Sequence, residues 1–305
     1  MPLNFIDISM WQKGLDLKSL FSLNPELGGV IVKSSGGVSN IQPTCDPWVQ
    51  WLMENNKPWG FYHYLDDDFK NSSGRAEAEF WVKNCRSYFG KGMPWADYEK
   101  NALNMGTGYL KEFLDTVYSL TGVKCGVYCS QSVTQSQDFS EIAFAGYPLW
   151  MAQYADMAVV YGFIEKPWQK GSVSPFDRYV MHQYTGNGRL NGYSSPLDLD
   201  KFYGSVEDWN NLVSGMREIK EEKVAVPVAN PVKLKAADPV AILDVLNGKY
   251  GTNQNRVNGL KVAGYDPVSV QNKINELYGV GYKVKKDIGN NMPYLNALLK
   301  IIKSL

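Results

Sequence analysis

Eight short apolar runs occupy the first two thirds of the 305-residue chain, and each has the length of one buried β-strand. The runs cover residues 4–8, 29–33, 58–64, 93–99, 123–128, 147–151, 179–183 and 196–200. Between several of them apolar residues recur at three- and four-residue steps, as in 45–55, 72–88 and 104–120. The later connections, 152–178 and 185–195, are rich in Gly, Pro, Ser and Asn and predict loops. This alternation predicts an α/β barrel of parallel strands whose outer helices become incomplete.

The remaining third of the chain predicts a second, much smaller module. Residues 216–237 contain prolines at 227 and 231 and are typical of a linker. Asp238-Pro239 then begins a helix, a second helix is expected near 253–259, and a third begins at Asp266-Pro267. The predicted divisions are a barrel at 1–212, a linker at 213–237, a helical bundle at 238–278, and an extension or degenerate second repeat at 279–305.

Composition and charge exclude several classes of protein. Lys and Arg together number 31, as do Asp and Glu, so the chain has no basic excess with which to bind nucleic acid. It contains no apolar run of about 18 residues that could span a membrane, and its N-terminus lacks the features of a signal peptide. We therefore expect synthesis in the cytoplasm and no membrane insertion. Cys45, Cys85, Cys125 and Cys129 have no metal-binding spacing, which predicts buried free thiols.

Acidic residues stand at the ends of three of the predicted strands. Asp97 and Glu99 are two residues apart, so their side chains project from one side of a strand, near the carboxyl end where barrel active sites lie. Asp7 ends the first run, and Asp198 and Asp200 end the last one. Because the first and last strands of a closed barrel are neighbours, we expect these acids to converge at one mouth. Crowded carboxylates separate one another's pKa values, which provides the acid and the ionised group that glycoside hydrolysis needs.

Other interpretations of these acids remain open at this point. Some could cap helices or pair with Lys33 or Arg189. Acidic clusters also bind divalent cations, but no His lies among these residues and no phosphate loop accompanies them, so we expect no metal. Ser-His-Asp catalysis lacks support, since His63 and His182 are the only histidines and no Gly-x-Ser-x-Gly motif occurs.

Seven motifs, in order along the chain, carry a more specific signal. They are Asp7-Ile-Ser9, Gly60-Phe-Tyr62-His-Tyr64, Asp97-Tyr-Glu99, Gly126-Val-Tyr128, Leu149-Trp150-Met-Ala-Gln153-Tyr154, His182-Gln183-Tyr184 and Asp198-Leu-Asp200. Over residues 3–210 the chain thus resembles glycoside hydrolase family 25, the muramidases of phage endolysins. It departs from the family in the less apolar stretch Pro94-Trp-Ala and in Asp200, where the family often has Asn. Neither departure removes a catalytic carboxylate.

This resemblance implies an irregular (β/α)5β3 TIM-like barrel and an enzyme without a cofactor. The implied reaction is hydrolysis of the β-1,4 bond between N-acetylmuramic acid and N-acetylglucosamine. Glu99 matches the general acid, and Asp97 matches the carboxylate that steers the substrate's acetamido group or stabilises the oxocarbenium-like centre. Asp7 and Asp198 match supporting acids. The expected substrate-binding residues are Tyr62, Tyr128, Trp150, Gln183 and Asp200.

The smaller module also matches a known pattern. It contains Asp238-Pro-Val-Ala-Ile-Leu, Gly248-Lys-Tyr250-Gly251 and Gly264-Tyr265-Asp266. This pattern resembles the cell-wall-binding repeat called CW-seven, a three-helix bundle that recognises muropeptide, with Tyr250 where the repeat usually has Trp. Tyr250 and Arg256 are the expected wall contacts, and a structural role in so small a core is an equal alternative.

Together the two resemblances predict a phage-type endolysin whose partners are the glycan strand and muropeptide of bacterial peptidoglycan. We expect it to be made in the cytoplasm of the host bacterium and to act on the wall after release, with a holin as a candidate for that release. Two rivals are a catalytically silent wall-binding protein and a chitinase-like glycosidase. The intact pair Asp97 and Glu99 argues against the first, and the lack of a DxxDxDxE run argues against the second.

Overall fold

The structure is a computed structural model that describes residues 1–215, 235–246, 249–250, 256, 259–261 and 263–274. The chain divides into two compact units, Met1–Glu222 and Lys223–Leu305. The strands of the first unit are β1 Leu3–Ile8, β2 Leu27–Gly36, β3 Asn40–Ile41, β4 Trp59–Tyr64, β5 Met93–Asp97, β6 Gly126–Ser130, β7 Leu149–Ala152, β8 Val160–Tyr161, β9 Met181–Leu190 and β10 Tyr193–Phe202. Its α-helices are α1 Leu17–Leu23, α2 Cys45–Glu54, α3 Gly74–Cys85, α4 Gly106–Thr121, α5 Gln131–Ser136, α6 Ser140–Phe144 and α7 Val206–Gly215.

Eight of these strands close into a barrel. Its neighbours, in order, are β1, β2, β4, β5, β6, β7, β9 and β10, and β10 pairs with β1 to complete the circle. The pairs from β1 round to β9 are parallel, whereas β10 is antiparallel to both of its neighbours. The prediction of a closed α/β barrel with adjacent first and last strands is confirmed. The prediction that every strand is parallel is wrong for β10.

Residues 185–195 explain this difference, because they form the tip and the adjoining halves of a β-hairpin and not the predicted loop. β9 and β10 are each ten residues long, and only Asn191 and Gly192 connect them. Gly192 has a φ of +90°, a conformation that glycine adopts without a steric penalty. So short a connection requires antiparallel strands. Ser194 and Ser195 are exposed, so the first part of β10 carries no apolar signal.

The periodicity of apolar residues identifies the longer helices only. It predicts α2, α3 and α4 to within three residues at each end. It does not identify α1, α5, α6 and α7, which have between five and ten residues and offer too few turns for a clear period. No helix in the described residues is long and apolar enough to cross a membrane. All four cysteines are buried free thiols, as predicted.

Two apolar cores hold the first unit together. The larger one lies between the barrel wall and the surrounding helices. The second fills the inside of the barrel, mainly with aromatic side chains, among them Phe5, Trp95, Trp150, Phe202 and Trp209. Trp95 and Trp150 meet edge to face, with ring centroids 5.5 Å apart. The barrel is therefore solid below its mouth, and polar groups at the mouth rest on an aromatic floor.

The second unit has a small core of its own. Helix α8 spans Pro239–Leu246, and residues 256, 259–261 and 267–274 are also helical. Asp238 caps α8, since its Oδ1 accepts a hydrogen bond of 2.8 Å from the backbone N–H of Ala241. The core consists of Ala241, Ile242, Val245, Leu260, Val270 and Ile274. The first and third helices begin where the sequence predicts. Most of the predicted second helix, most of the linker and all of 279–305 lie outside the described residues.

Trp209 on α7 closes the barrel at the end away from the mouth, with its ring centroid 4.5 Å from Phe5 and 5.0 Å from Phe202. We expect Trp209→Ala to lower the free energy of unfolding by about 3–5 kcal/mol, the usual cost of deleting a buried Trp. Urea unfolding followed by tryptophan fluorescence measures this in the full chain, because all nine tryptophans lie between residues 11 and 209.

Trp168→Ala is the matched control, since it removes a ring that is 48% exposed. It should change stability by about 0.5 kcal/mol or less. Equal losses for the two variants would contradict the packing role of Trp209.

Candidate active site

A pocket of about 370 Å³ opens at the mouth of the barrel. The residues that line it include four acids and four tyrosines, namely Asp7, Asp97, Glu99, Asp198, Tyr62, Tyr64, Tyr128 and Tyr154. The acids of the first, fifth and last strands therefore converge at one mouth, as the sequence predicts. A second cavity, of about 400 Å³ beside α7, has no acid in its lining and offers no comparable chemistry.

Strand geometry directs Asp97 and Glu99 into the pocket. β5 ends at Asp97, two residues earlier than predicted, but the backbone stays extended through Glu99, with φ −147° and ψ 177°. Tyr98 lies between them, is fully buried, and donates its hydroxyl hydrogen to Gln137 Oε1 at 2.6 Å. Its backbone N–H donates to the carbonyl of Tyr128 at 2.9 Å. Because Tyr98 is anchored on the outer side, both acids share the inner side.

Asp7 and Asp198 are direct partners on the antiparallel strands β1 and β10. Gln183 Nε2 donates a hydrogen bond of 2.7 Å to Asp7 Oδ2. The hydroxyl groups of Tyr128 and Tyr154 donate to Gln183 Oε1 at 2.8 Å and 2.5 Å. Two donors on Oε1 fix the orientation of the amide, so its Nε2 must face Asp7. Gln183 thus holds Asp7 in place and stabilises its ionised form.

Burial raises the pKa values of the three aspartates in this pocket. Desolvation is the largest cause for Asp7 and Asp97, and it is reinforced by the charges of Asp198 and Glu99 respectively. Burial, together with the charge of Glu99, raises the pKa of Asp198 to about 6. The pocket therefore retains protons at a pH where exposed aspartates would have lost them. Among the described residues, no group of three or more His, Cys, Asp or Glu is placed to hold a metal ion.

Lys33 brings a positive charge to the pocket. Its Nζ lies 3.0 Å from Asp67 Oδ2 and 4.5 Å from the centroid of the Tyr64 ring. Burial, and then the charge of Glu99, raise the pKa of Tyr64, so its hydroxyl group lies near the Glu99 carboxyl group. Arg189 lies elsewhere and donates to a backbone carbonyl. In the part of the chain that the structure describes, none of the four pocket acids forms a direct ion pair, so simple pairing with Lys33 or Arg189 does not account for them.

Two of the predicted substrate contacts lie below the pocket. Trp150 is 2% exposed, and its Nε1 donates a hydrogen bond of 2.9 Å to Oδ1 of the fully buried Asp200. Neither residue belongs to the pocket lining. Trp150 packs against Tyr128 with ring centroids 4.7 Å apart, so it supports a residue that does line the pocket. Tyr62 and Gln183 also line it.

Trp11 is a pocket residue that the sequence does not distinguish as a contact. It lines the pocket and is 87% exposed, an unusual position for so large an apolar ring. It lies on a short 3-10 helix fixed by Ser9 and Gln12, which form a capping box. The spacing Ser-x-x-Gln after Asp7 is typical of a capping box, and it could have predicted the short helix that holds Trp11 at the pocket. A flat ring held open to solvent offers a stacking surface for a sugar.

Tyr250 and Arg256 lie in the second unit, and each has a partner there. The Tyr250 hydroxyl donates to Asp244 Oδ2 at 3.2 Å. A Cβ atom at Gly259 would lie 2.9 Å from Cδ1 of Tyr250, so the ring needs glycine at that position. Arg256 Nη1 donates to Gln271 Oε1 at 3.3 Å. Both side chains are half-buried, so they contribute to the structure of this unit whatever else they contact.

Comparison with known protein families separates the same two parts of the chain. The model of the family described as Glycosyl hydrolases family 25 matches residues 6–193. The chain belongs to glycosyl hydrolase family 25. It is therefore a glycoside hydrolase, as the sequence motifs predict. A second family model, the CW_7 repeat, matches residues 238–278, which confirms the other resemblance.

Individual proteins resemble this family 25 enzyme at low identity. The uncharacterized protein YegX of Escherichia coli is 24% identical over 219 residues, which cover 70% of this chain and 74% of YegX. The bacterial lysozyme of Streptomyces coelicolor is 20% identical with a TM-score of 0.58, and the match covers 71% of this chain and 99% of that one. The catalytic domain of endolysin ply40, from bacteriophage P40 of Listeria monocytogenes, is 26% identical with a TM-score of 0.53, over 70% of this chain and 98% of that one.

Replacing Lys33 by Met removes the positive charge that lowers the pKa of Asp97. We expect the pKa of Asp97 to rise, because burial and the charge of Glu99 would then act without opposition. Titration of aspartate carboxyl carbons by NMR, with Asp97 assigned through Asp97→Asn, measures the change. Lys100→Met removes the other lysine of the pocket lining, which is not among the main groups that shift the pKa of Asp97. An unchanged titration in Lys33→Met, or an equal change in both variants, would refute this role of Lys33.

Proposed function

We propose that this glycoside hydrolase is a phage-type endolysin that cuts the β-1,4 bond between N-acetylmuramic acid and N-acetylglucosamine in bacterial peptidoglycan. The observation that carries the proposal is the pair Asp97 and Glu99, aimed from one extended segment into a pocket lined by tyrosines. Membership of family 25 supports it. Two of the similar structures bear the names lysozyme and endolysin, which agrees with this substrate.

In this proposal Glu99 is the general acid. Its side chain is half-buried at the pocket mouth, where a glycosidic oxygen can approach from solvent. The carboxyl proton passes to the leaving oxygen as the bond between that oxygen and the sugar carbon breaks. Water then completes the hydrolysis and restores the proton. The Tyr64 side chain, which lies beside Glu99, would help to orient the carboxyl group when substrate binds.

Asp97 has the complementary role, next to the carbon on which positive charge develops. It lies deeper than Glu99 and is 7% exposed, so its charge is poorly screened by water. Its ionised form either stabilises the oxocarbenium-like centre or steers the substrate's acetamido group. Burial and the charge of Glu99 raise the pKa of Asp97, and the charge of Lys33 opposes this rise and so favours the form that this role requires.

The other pocket residues bind and orient the sugar. Asp7 and Asp198 add negative charge beside the reacting pair, and Tyr62, Tyr128 and Trp11 offer ring faces and hydroxyl groups to the glycan. Gln183 acts on Asp7 through its amide hydrogen bond. Trp150 and Asp200 support this layer from below, so we assign them to positioning and not to direct contact. We also propose that the barrel has the irregular (β/α)5β3 architecture that the resemblance implies.

We also propose that residues 238–278 form a three-helix bundle that binds muropeptide. The match to the CW_7 repeat and the separate core of this unit support the idea. Tyr250 and Arg256 would contact the wall with the parts of their side chains left outside the core. A tethered second contact raises the local concentration of substrate, so two weak sites give useful avidity. Synthesis in the host cytoplasm and release by a holin complete the proposed pathway to the wall.

Analysis of the released sugars tests the bond that is cut. Mass spectrometry of digested cell wall should show N-acetylmuramic acid at the new reducing ends. N-acetylglucosamine at those ends would refute the muramidase assignment. Clearing of chitin without clearing of cell wall would favour the chitinase-like alternative, and binding to the wall without any clearing would favour a silent binding protein.

Glu99→Gln and Asp97→Asn keep the shapes of the two side chains and remove the proton donor or the charge. We expect each to lower the rate of wall lysis by about 100-fold or more, the usual scale of general acid catalysis. Lysis is measured as clearing of a cell-wall suspension, and binding by sedimentation with purified wall. Wall binding should persist in both variants, since neither change removes the glycan-facing rings.

Asn191→Asp is the control, because it alters a charge in the hairpin turn outside the pocket lining. It should leave lysis almost unchanged. Lysis within a few-fold of the wild type in a folded Glu99→Gln variant would remove Glu99 from the role of acid. Joint loss of binding and lysis in Asp97→Asn would make Asp97 a residue that holds substrate.

A chain that ends at Gly215 tests the separation of the two parts. All pocket residues lie between positions 7 and 198, and α7 ends at Gly215, so this truncated chain retains the barrel and Trp209. We expect it to fold and to cut soluble glycan fragments at nearly the full rate. On intact walls it should be slower, because the second contact is gone. Equal losses on both substrates would show that residues 216–305 complete the catalytic part.

A further inference from the structure

We propose that Asp200 is a positioning residue that retains its proton at neutral pH and donates a hydrogen bond from Oδ2 to the carboxylate of Asp7. It lies directly below the pocket, so this bond would fix one negative charge at the floor of the site. The part of the inference that concerns catalysis rests on the proposed function. The part that concerns the proton does not, and it can be tested without any substrate.

The contacts of Asp200 leave one of its oxygens without a donor. Oδ1 accepts the hydrogen bond from Trp150, whereas Oδ2 is buried and receives no hydrogen bond from any donor group of the described residues. Lys201, the next residue, donates instead to Asn4 Oδ1 at 2.7 Å. In the register of β1 and β10, Asp200 lies two residues after Asp198, the direct partner of Asp7, so the side chains of Asp200 and Asp7 project from the same face and approach each other. Two neighbouring ionised carboxylates repel each other, whereas a single proton shared between them gives a strong charge-assisted hydrogen bond.

The surroundings decide which of the two acids holds the proton. Asp7 lines the pocket and accepts a hydrogen bond from Gln183, whose amide two tyrosines hold in that direction. Both features favour the ionised form at Asp7. Asp200 is fully buried and has no place in the pocket lining, so its ionised form would be the more costly one. The proton therefore belongs on Asp200, with Asp7 as the acceptor.

The titratable groups around Asp200 are acids and phenols. Asp7 faces it from β1, Asp198 lies two residues before it on β10, Tyr184 lies on β9, and Tyr154 follows β7. Among the described residues, no lysine or arginine forms an ion pair with Asp200. Burial, and then the charges of Asp7 and Asp198, raise the pKa of Asp200 well above its usual value. Loss of this proton at alkaline pH would place two charges side by side and disturb Asp7.

Asp200→Asn is the decisive variant. The asparagine amide can accept the hydrogen bond from Trp150 and donate one to Asp7, but it does not titrate in this pH range. The unfolding constants of the wild type and the variant are compared by urea unfolding from pH 4.5 to 7.5, with tryptophan fluorescence as the signal. An unfolded Asp has a pKa of about 3.9, so the wild type releases a proton on unfolding wherever the folded barrel retains it.

The expected result follows from the sign of this proton release. A raised folded pKa gives stability that is present below pH 4 and is lost as pH rises towards the folded pKa. The wild-type unfolding constant should thus increase relative to that of Asp200→Asn by up to about tenfold per pH unit, which equals about 1.4 kcal/mol. Asp156→Asn, which changes an exposed acid, should show a ratio that varies little with pH. A flat ratio for Asp200→Asn would overturn the proposal.

A second measurement on the unaltered side chain applies even if Asp200→Asn does not fold. The indole N–H of Trp150 donates to Asp200, so its NMR shifts report the charge on that carboxyl group. This resonance, assigned by loss of one signal in Trp150→Phe, should show no step near pH 4 and should move only above neutral pH. A step near pH 4 would mean that Asp200 is an ordinary ionised carboxylate, and the proposal would fail.

The pH dependence of wall lysis tests the consequence for catalysis. Asp200→Asn should stay within a few-fold of the wild type in kcat/KM at neutral pH and should retain activity to a higher pH. Asp200→Ala lacks the donor and should lose about tenfold or more at every pH, because Asp7 is no longer held. A folded Asp200→Asn variant that loses 100-fold would show that the carboxylate itself is needed. Absence of lysis in the wild type would refute the proposed function and leave both proton measurements standing.

Discussion

The pairing of β1 with β10 is the constraint on which the rest of the structure depends. It joins residues almost 200 positions apart, and it is the step that turns a row of strands into a closed wall. Because β10 runs antiparallel, Asp198 meets Asp7 in direct register at the mouth, with Asp200 one pleat below. Closure therefore does two things at once. It seals the aromatic interior from water, and it completes the acidic cluster from opposite ends of the catalytic unit.

This arrangement has an electrostatic cost that the barrel offsets locally. Carboxyl groups set on a dry aromatic floor lose most of their hydration, and within the described residues no ion pair compensates the four that line the pocket. Three features limit the cost: retained protons, the amide of Gln183 and the charge of Lys33. Gln183 acts on Asp7 and Lys33 acts on Asp97, so different groups stabilise the ionised forms of these two acids. A site in which one carboxyl group donates a proton and another stabilises positive charge needs such different surroundings for its acids.

Much of the barrel could be predicted because its strands and longer helices carry strong local patterns. Apolar runs locate the strands, and the two-residue spacing of Asp97 and Glu99 correctly places both on one side. The errors concern long-range geometry. The hairpin at 185–195 has the composition of a loop because its first β10 residues are exposed. Helix α7 is short, and its Trp209 packs on Phe5 at the other end of the catalytic unit as well as on Phe202, a long-range contact that no local period records.

A sequence pattern says little about how deep a side chain lies below the mouth of the barrel. In this site, depth distinguishes the residues that line the pocket from those that support it. Alternation tells which side of a strand a residue faces, but its depth depends on the stagger of all eight strands. Trp11 and Trp150 are the same residue type, one 87% and one 2% exposed. Only the first can meet a sugar. Asp97 lines the pocket and Asp200 lies below it, and in our proposals the first faces the substrate whereas the second holds Asp7. The presence of Asp200, where the resemblance leads us to expect Asn, agrees with our proposal, because a protonated carboxyl group can donate a hydrogen bond as an Asn amide does.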